Sequence, residues 1–157
     1  MMPSQRSGCI LLVEDNPDDA ALTVGALRAH RVANDIVHAR DGAEARDFLF
    51  GIGTYAGRSV TDVPDLVLLD LRLPKIDGMD LLRRIRADDR TKLVPVVVLT
   101  SSAYEDDLIG SYAEGANSYI RKPVNFDSFV DAIDKVCVYW LLVNEPPTGP
   151  GPAEALS

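Results

Sequence analysis

Short unbroken apolar runs alternate along this chain with longer segments whose apolar residues recur every three or four positions. The short runs are typical of strands buried on both faces of a sheet, and the longer segments are typical of helices with one buried face. The pattern therefore predicts five strands that alternate with five helices. The predicted strands span residues 9–13, 35–39, 66–69, 95–100 and 118–121.

Local start signals place the helices between these strands. Asn16 is a good N-cap, and Pro17 suits the first helical position. Ser102 and Glu105 fit a capping box, and Asn125 can cap the last helix. The predicted helices span about residues 17–29, 43–50, 79–87, 102–115 and 126–141.

This alternation predicts a parallel sheet that is covered by helices on both faces and joined by right-handed crossovers. We predict one domain over residues 9–143, with a disordered N-terminus over 1–8 and a disordered Pro/Gly-rich tail over 144–157. The connection 51–62 is longer than a usual helix-to-strand loop. It is either a tolerated surface insertion or a loop that contacts a partner.

Composition restricts the cellular compartment and the classes of partner that we expect. The 157 residues are 46% hydrophobic and 25% charged, and the net charge of −8 disfavours duplex DNA as a partner. No apolar run approaches the roughly 18 residues of a membrane span, and the first residues lack the core of a signal peptide. Cys9 and Cys137 lie in apolar segments, which is typical of buried free thiols in a reducing compartment. We therefore expect a cytoplasmic protein.

Polar residues stand at the ends of four of the five predicted strands. They are Glu14 and Asp15 after the first strand, Asp70 after the third, Thr100 and Ser101 at the end of the fourth, and Lys122 after the fifth. In open parallel sheets, ligands bind beyond the carboxyl ends of the strands, where the strand order reverses. One polar residue at such a place is ordinary, but the convergence of four strand ends predicts a functional site.

The three acids of this set predict a bound cation. Carboxylates that are gathered in one pocket repel one another, and a divalent cation relieves that repulsion. Oxygen ligands with few protein donors suit Mg²⁺ rather than Zn²⁺. Glu14, Asp15 and Asp70 therefore predict a magnesium site. His30 and His38 do not fit as ligands, and we expect each on the surface or in a loop.

These residues carry a resemblance to a known family. The matching motifs are Val13-Glu14-Asp15-Asn16, Leu68-Leu69-Asp70-Leu71-Arg72-Leu73-Pro74, Asp77-Gly78, Val98-Leu99-Thr100-Ser101 and Lys122-Pro123. In this order they resemble the receiver domain of two-component response regulators. The resemblance implies a flavodoxin-like doubly wound fold with a five-stranded sheet in the order 2-1-3-4-5. The connection 51–62 and the ending Tyr139-Trp140-Leu141 resemble the single-domain regulators that are paired with bacterial phytochromes.

The resemblance implies a role for each acid. Asp70 would take a phosphoryl group from the phosphohistidine of a sensor histidine kinase. Asp15, Asp70 and the backbone carbonyl of Arg72 would bind Mg²⁺, and Glu14 would act nearby through water. The side chain of Arg72 would flank the approach of the phosphate.

The resemblance also implies phosphate ligands and a switch. The Thr100 hydroxyl, the Ser101 amide and the Lys122 ammonium would bind the phosphate, and a cis peptide before Pro123 would aim Lys122 into the cleft. Thr100 would move toward the phosphate and Tyr119 would turn inward behind it. The alternative for Tyr119 is an ordinary half-buried strand aromatic. The output surface would comprise the fourth helix, the fifth strand and the fifth helix.

No DNA-binding or enzymatic domain is recognisable in the sequence, so we expect output through docking or dimerisation. We also expect no enzymatic activity beyond the phosphorylation and dephosphorylation of the chain itself. The end of the last helix is apolar nearly all round, which predicts a homodimer interface rather than packing beneath the tail. The interface residues would be Val138, Tyr139, Trp140 and Leu142.

Two other functions compete with the phosphorylated signalling module. A Mg²⁺-dependent phosphohydrolase also uses an Asp nucleophile, but its pattern has a second acid two residues later, where this chain has Arg72. A receiver-like binding module that never takes phosphate has no need of Asp15, Asp70, Thr100 and Lys122 together. The signalling module is therefore the leading hypothesis.

Overall fold

The computed structural model describes residues 8–29, 35–58, 63–100, 112, 114–121, 126–137 and 139–140. All five predicted strands occur in this part of the chain. They are β1 (Cys9–Val13), β2 (Asp35–Ala39), β3 (Leu66–Leu69), β4 (Val96–Thr100) and β5 (Ser118–Arg121). β4 begins one residue later than predicted, after Pro95, which has no N–H to contribute to a ladder.

The strands form one parallel sheet in the order β2-β1-β3-β4-β5. This order confirms the predicted flavodoxin-like fold, and β1 and β3 flank the point at which the strand order reverses. Val13 is in register with Ala39 on one side and with Leu69 on the other. The carboxyl ends of β1 and β3 therefore lie side by side.

Helices follow four of the five strands in the described part of the chain. They are α1 (Pro17–Ala29), α2 (Gly42–Phe50), α3 (Gly78–Ala87) and the C-terminal helix (Phe126–Cys137). α2 and α3 each begin one residue earlier than predicted because an aspartate caps them. The Asp41 carboxylate accepts the N–H of Glu44, and the Asp77 carboxylate accepts the N–H of Met79. Aspartate is among the strongest N-cap residues.

Alternate residues of the strands enter two cores, one on each face of the sheet. In β3, Val67 and Leu69 pack on the side of α2 and α3, whereas Leu66 and Leu68 pack on the side of α1 and the C-terminal helix. All four side chains are 0% exposed. β3 is therefore covered on both faces, as its apolar run predicts.

Several predictions fall outside the described residues. Of the predicted fourth helix only residues 112, 114 and 115 are described, and the tail 144–157 and residues 1–7 are not described. The domain boundaries therefore stay predictions. Cys9 is half-buried, and the side chain of Cys137 is not described. No helix in the described part of the chain is both long enough and apolar enough to cross a membrane.

The first part of the connection 51–62 packs against α2. The Tyr55 ring meets the Phe48 ring edge to face with centroids 5.1 Å apart. The Arg58 guanidinium lies 4.0 Å from the centroid of the Phe48 ring, and its Nε donates to the Phe48 carbonyl at 2.8 Å. Aromatic and cation–π contacts of this kind are stabilising. This part of the connection is therefore fixed to the domain, and its role as a partner contact stays a prediction.

A half-buried arginine joins α3 to the loops before β4 and β5. Arg86 Nη1 donates to the carbonyls of Lys92 at 2.9 Å and Val94 at 2.7 Å, and Nε donates to the carbonyl of Gly115 at 2.9 Å. Its Nη2 donates to Asn117 Oδ1 at 2.8 Å. Burial lowers the pKa of the Arg86 guanidinium. The four hydrogen bonds fix the starts of β4 and β5 relative to α3.

We expect the Arg86→Met variant to lose about 2–4 kcal/mol of unfolding free energy, because half-buried carbonyls lose charged donors. Arg84→Met is the matched control. Arg84 is exposed on the same helix and makes no hydrogen bond or ion pair with any residue that the structure describes. Its replacement should change the unfolding free energy by less than about 0.5 kcal/mol. Urea denaturation measures both variants, and equal effects would refute the role of Arg86.

Candidate functional site

Three carboxylates meet at the carboxyl edge of the sheet. Glu14 and Asp15 follow β1, Asp70 follows β3, and one oxygen of each lies within 4.8 Å of the others. Two backbone hydrogen bonds hold them there, because Glu14 N–H donates to Ala39 and Asp70 N–H donates to Val13, both at 3.0 Å. The structure therefore brings together the three acids that the strand ends predict.

The three acids differ in their exposure. Glu14 is 2% exposed and Asp70 is 7% exposed, whereas Asp15 is exposed. Buried carboxylates are rare unless they are paired, hydrogen-bonded or bound to a metal. The cluster therefore combines two acids that the fold buries with one that solvent reaches.

Backbone amides orient two of the acids. The Arg72 N–H donates to Asp70 Oδ1 at 2.9 Å, and the Asn16 N–H donates to Glu14 Oε2 at 3.2 Å. Asn16 Oδ1 in turn accepts the N–H groups of Asp18 at 2.9 Å and Asp19 at 3.1 Å. These last two bonds are the predicted N-cap of α1. The start of α1 is thus fixed next to the acidic cluster.

The loop after Asp70 depends on a glycine at the start of α3. The Gly78 N–H donates to the Leu71 carbonyl at 3.0 Å. A Cβ atom at Gly78 would lie 2.4 Å from the Asp70 carbonyl oxygen and 2.6 Å from the Leu71 Cα. Both neighbours are backbone atoms that cannot swing aside. Gly78 therefore permits the close approach of α3 that shapes the site.

A second close approach fixes the same loop from the side of α2. A Cβ atom at Gly42 would lie 2.0 Å from the Ile76 carbonyl oxygen. Lys75 has a φ of 68° and pairs with Asp41 at 3.4 Å. Burial works against ionisation of Asp41, but the Glu44 amide and Lys75 outweigh it and lower the pKa of that carboxyl. Sequence reasoning missed these contacts, although the pairs Asp41-Gly42 and Asp77-Gly78 mark both turns.

For His38, the predicted strand 35–39 is confirmed, whereas the expected placement on the surface or in a loop is wrong. His38 lies on β2, is half-buried, and its Nε2 lies 2.8 Å from the Glu14 carbonyl oxygen. It is in register with Leu12, so its ring comes beside the residues that leave β1. Because His38 lies on a strand next to the site, its ring can reach the Glu14 carbonyl. A histidine in a loop would leave that carbonyl to water. His30 lies outside the described residues.

Of the three predicted phosphate ligands, the structure describes only the backbone of Thr100. Thr100 ends β4, where it is in register with Arg121 of β5, and its side chain is not described. Ser101, Lys122 and Pro123 lie outside the described residues, and so the cis peptide and the phosphate contacts stay predictions. Because β4 is adjacent to β3 in the sheet, Thr100 ends at the same edge as Asp70.

The predicted switch and interface aromatics are both described. Tyr119 is half-buried on β5 and packs against the core cluster on the α2 and α3 side. Tyr139 is 49% exposed, and its ring meets the Trp140 ring edge to face with centroids 4.9 Å apart. Val138 and Leu142 lie outside the described residues.

The donor set of the acidic cluster fits a divalent cation. Three carboxylate oxygens within 4.8 Å of one another can face a single ion. They are hard oxygen ligands, which Mg²⁺ and Mn²⁺ prefer. A zinc site of the Cys/His type would use sulfur and nitrogen ligands instead. Asp15 supplies the side of the cluster that water and phosphate can approach.

The family model described as the response regulator receiver domain matches residues 10–134. The chain belongs to the response regulator receiver family. The match begins in β1 and ends in the C-terminal helix, and it includes the three acids, Thr100 and Lys122. The family and the fold that the motifs predict are therefore confirmed.

Two regulatory proteins from different organisms are similar to this chain over most of its length. The probable methanogenesis regulatory protein FilR2 of Methanothrix harundinacea is 42% identical over 144 residues, which are 92% of this chain and 88% of that protein. The response regulator Rcp1 of Synechocystis is 38% identical over 132 residues, which are 84% of this chain and 88% of that protein.

Two solved structures share the fold over nearly their whole length. The phosphorylated cyanobacterial phytochrome response regulator RcpA has a TM-score of 0.83 and 40% identity, with 90% of this chain and 99% of that chain covered. The Mn²⁺-bound form of Rcp1 has a TM-score of 0.82 and 36% identity, with the same coverage. One of these receivers thus carries phosphate and the other a divalent cation.

Proposed function

We propose that this receiver accepts a phosphoryl group on Asp70 from the phosphohistidine of a sensor histidine kinase. The observation that carries the proposal is the cluster of Glu14, Asp15 and Asp70, whose oxygens lie within 4.8 Å of one another. A carboxylate oxygen of Asp70 forms a new bond to phosphorus as the P–N bond to the kinase imidazole breaks. The imidazole nitrogen keeps the electron pair and takes up a proton. The products are an aspartyl phosphate and a neutral histidine.

The fold prepares Asp70 for this reaction. The Arg72 amide holds Asp70 Oδ1 at 2.9 Å, and Gly78 lets the start of α3 lie against the Asp70 backbone. Phosphoryl transfer has a loose transition state, so catalysis depends on positioning and on neutralising charge. A carboxylate held in place at the edge of the sheet meets the first of these needs.

Mg²⁺ is the proposed cofactor. Asp15, Asp70 and the Arg72 carbonyl would hold it, with Glu14 nearby through water. When bound, the ion offsets the negative charge that the acids and the phosphoryl oxygens bring together. The Thr100 hydroxyl, the Ser101 amide and the Lys122 ammonium are the proposed phosphate ligands.

We propose that phosphorylation changes a surface around β5 and the C-terminal helix. The phosphate adds roughly two negative charges, and its contacts with Thr100 would favour one of two positions of Tyr119. Support comes from the half-buried position of Tyr119 against the core. The exposed Tyr139 supports a homodimer through the same surface, whereas Trp140 is half-buried against the core of the domain itself. Sedimentation of a Tyr139→Glu variant tests this interface, and an unchanged mass would count against it.

The proposed partner is a histidine kinase of the phytochrome type. RcpA, at 40% identity, is a phytochrome response regulator, and the chain covers 99% of it. We propose no enzymatic activity beyond the phosphorylation and dephosphorylation of Asp70. A phosphohydrolase is disfavoured because Arg72 occupies the place of its second acid.

Phosphotransfer from a purified, autophosphorylated phytochrome kinase tests this function. We expect label to move from the kinase to the chain within minutes when Mg²⁺ is present, and to stay on the kinase when EDTA removes the ion. The control acceptor is a receiver domain from an unrelated signalling pathway. It should remain unlabelled by the same kinase over the same time. Label that moves equally in EDTA would contradict the metal site, and transfer from unrelated kinases at the same rate would contradict the pairing.

A further inference from the structure

A cleft of about 380 Å³ lies between the last turns of α2 and α3. Its apolar part is formed by Phe50, Ile52 and Ala87. Three arginines surround that part, Arg46 from α2, Arg84 from α3 and Arg90 from the loop after α3; the lining is completed by Asp88. The cleft is shallow and wide open, so it suits a side chain of a partner surface rather than an enclosed small ligand.

The cleft is separate from the acidic site. α2 and α3 begin beside the loop that follows Asp70, at Gly42 and Gly78, and they run away from it for 9 and 10 residues. At about 1.5 Å per residue, Arg46 and Arg84 lie roughly 6–9 Å along the helices from these starts, and the helix ends at Phe50 and Ala87 lie roughly 12–14 Å from them. A ligand bound in the cleft would therefore not touch the phosphoacceptor.

The arginines around the cleft differ in their partners. Arg90 holds the Asp88 carboxylate with two side-chain hydrogen bonds at 2.9 and 2.8 Å, and these bonds lower the pKa of Asp88 to about 2. Arg46 holds Asp47 at 3.1 Å. Arg84 has no hydrogen bond or ion pair within the described part of the chain. One guanidinium of the cleft is thus available to an incoming anion.

Exposed apolar surface adjoins that guanidinium. Ile52 is 44% exposed, and the Arg90 guanidinium lies 5.5 Å from the centroid of the half-buried Phe50 ring. Arginine beside aromatic and aliphatic side chains is the composition that protein interfaces favour at their centres. An apolar side chain could cover Phe50 and Ile52 while a carboxylate pairs with Arg84.

We propose that this cleft docks an acidic segment of a partner protein, with one apolar or aromatic side chain against Phe50 and Ile52 and a carboxylate on Arg84. The positive charge of the cleft favours an acidic partner at this place. Arg46 and Arg90 pair with Asp47 and Asp88, so Arg84 leaves the cleft one positive charge in excess, whereas the whole chain has a net charge of −8. Docking there would hold a partner toward the end of the domain opposite Asp70.

An NMR titration tests this proposal. The probe is the capped peptide Glu-Asp-Trp-Leu-Glu-Asp, added to the ¹⁵N-labelled full chain at fixed ionic strength. We expect saturable amide shifts that are confined to residues 46–52 and 84–90. We expect the affinity to fall about fivefold in the Arg84→Ser variant, which is the loss of one charge-assisted contact of about 1 kcal/mol. The Arg28→Ser variant is the control, because Arg28 is exposed in the last turn of α1 and should leave the affinity unchanged.

Two further peptides separate charge from apolar contact. Replacing the four acids by Gln and Asn, or replacing Trp and Leu by Ala, should each abolish the shifts in the cleft. Shifts that lie elsewhere, or equal affinities of the Arg84→Ser and Arg28→Ser variants, would overturn the proposal. Shifts of residues 46–52 on dilution without peptide would assign the cleft to a second copy of the chain and overturn it. Equal shifts with inorganic phosphate alone would show that the cleft is a general anion site, and they would overturn the proposal as well.

Discussion

The Asp15→Asn variant is expected to accept a phosphoryl group from acetyl phosphate about 100-fold more slowly than the parent chain. Asp15 is the exposed member of the acidic cluster, with an oxygen within 4.8 Å of those of Glu14 and Asp70. Asparagine keeps the shape and one oxygen but removes the negative charge that attracts the cation. A loss of this size corresponds to about 2.7 kcal/mol in the barrier.

The same variant should keep its fold. Because Asp15 is exposed and its charge repels two buried acids, its neutralisation should not lower the midpoint of thermal unfolding in EDTA. Asp18→Asn is the matched control, since Asp18 is also exposed and lies in the first turn of α1. We expect it to be phosphorylated at the parental rate. Phosphorylation of the Asp15→Asn variant at that rate would remove Asp15 from the metal site.

Two glycine-to-alanine variants are expected to change stability in opposite directions. Gly78→Ala should lower the free energy of unfolding by about 2–3 kcal/mol, because its Cβ would lie 2.4 Å from the Asp70 carbonyl oxygen. Gly25→Ala should raise it by about 0.5–1 kcal/mol, because a Cβ there meets nothing within 4 Å and alanine favours the interior of α1.

Urea denaturation of both variants measures the two effects. Gly78→Ala should in addition slow phosphorylation, since the displaced backbone is that of Asp70 itself. A parental rate and stability in Gly78→Ala would show that α3 can shift without disturbing the site. Destabilisation by Gly25→Ala would show that a Cβ at this position on the exposed face of α1 meets a neighbour after all.

The sequence was sufficient for those features that depend on local pattern. The apolar run Leu66–Leu69 predicts a strand buried on both faces, and all four side chains are 0% exposed. Once the strands are parallel, residues that follow them must meet at one edge. Glu14, Asp15 and Asp70 therefore could be assigned to one site before their distances were known.

Features that arise from contacts between distant elements could not be predicted. Gly42 and Gly78 look like ordinary turn residues until α2 and α3 are placed against the loop after Asp70. Arg86 looks like an exposed helical residue, but the loops before β4 and β5 bring four acceptors to it. His38 is similar, since only the register of β2 with β1 brings its ring to the Glu14 carbonyl.

The proposed cation would explain why two buried acids and one exposed acid share an edge of the sheet. Without a counter-ion their repulsion would oppose folding, and the backbone amides of Arg72 and Asn16 offset part of it. Binding of the ion and arrival of the phosphoryl group are therefore proposed to depend on the same three carboxylates. A carboxylate oxygen of Asp70 is the proposed nucleophile that attacks phosphorus.

Intact mass spectrometry after incubation with acetyl phosphate and Mg²⁺ tests that claim most directly. The parent chain should gain one phosphoryl group, and the Asp70→Asn variant should gain none. The Asp89→Asn variant is the control, because the Asp89 side chain is 93% exposed and far from the acidic cluster in sequence, and it should be labelled like the parent. Equal labelling of the Asp70→Asn variant and the parent would contradict the assignment of Asp70 as the phosphoacceptor.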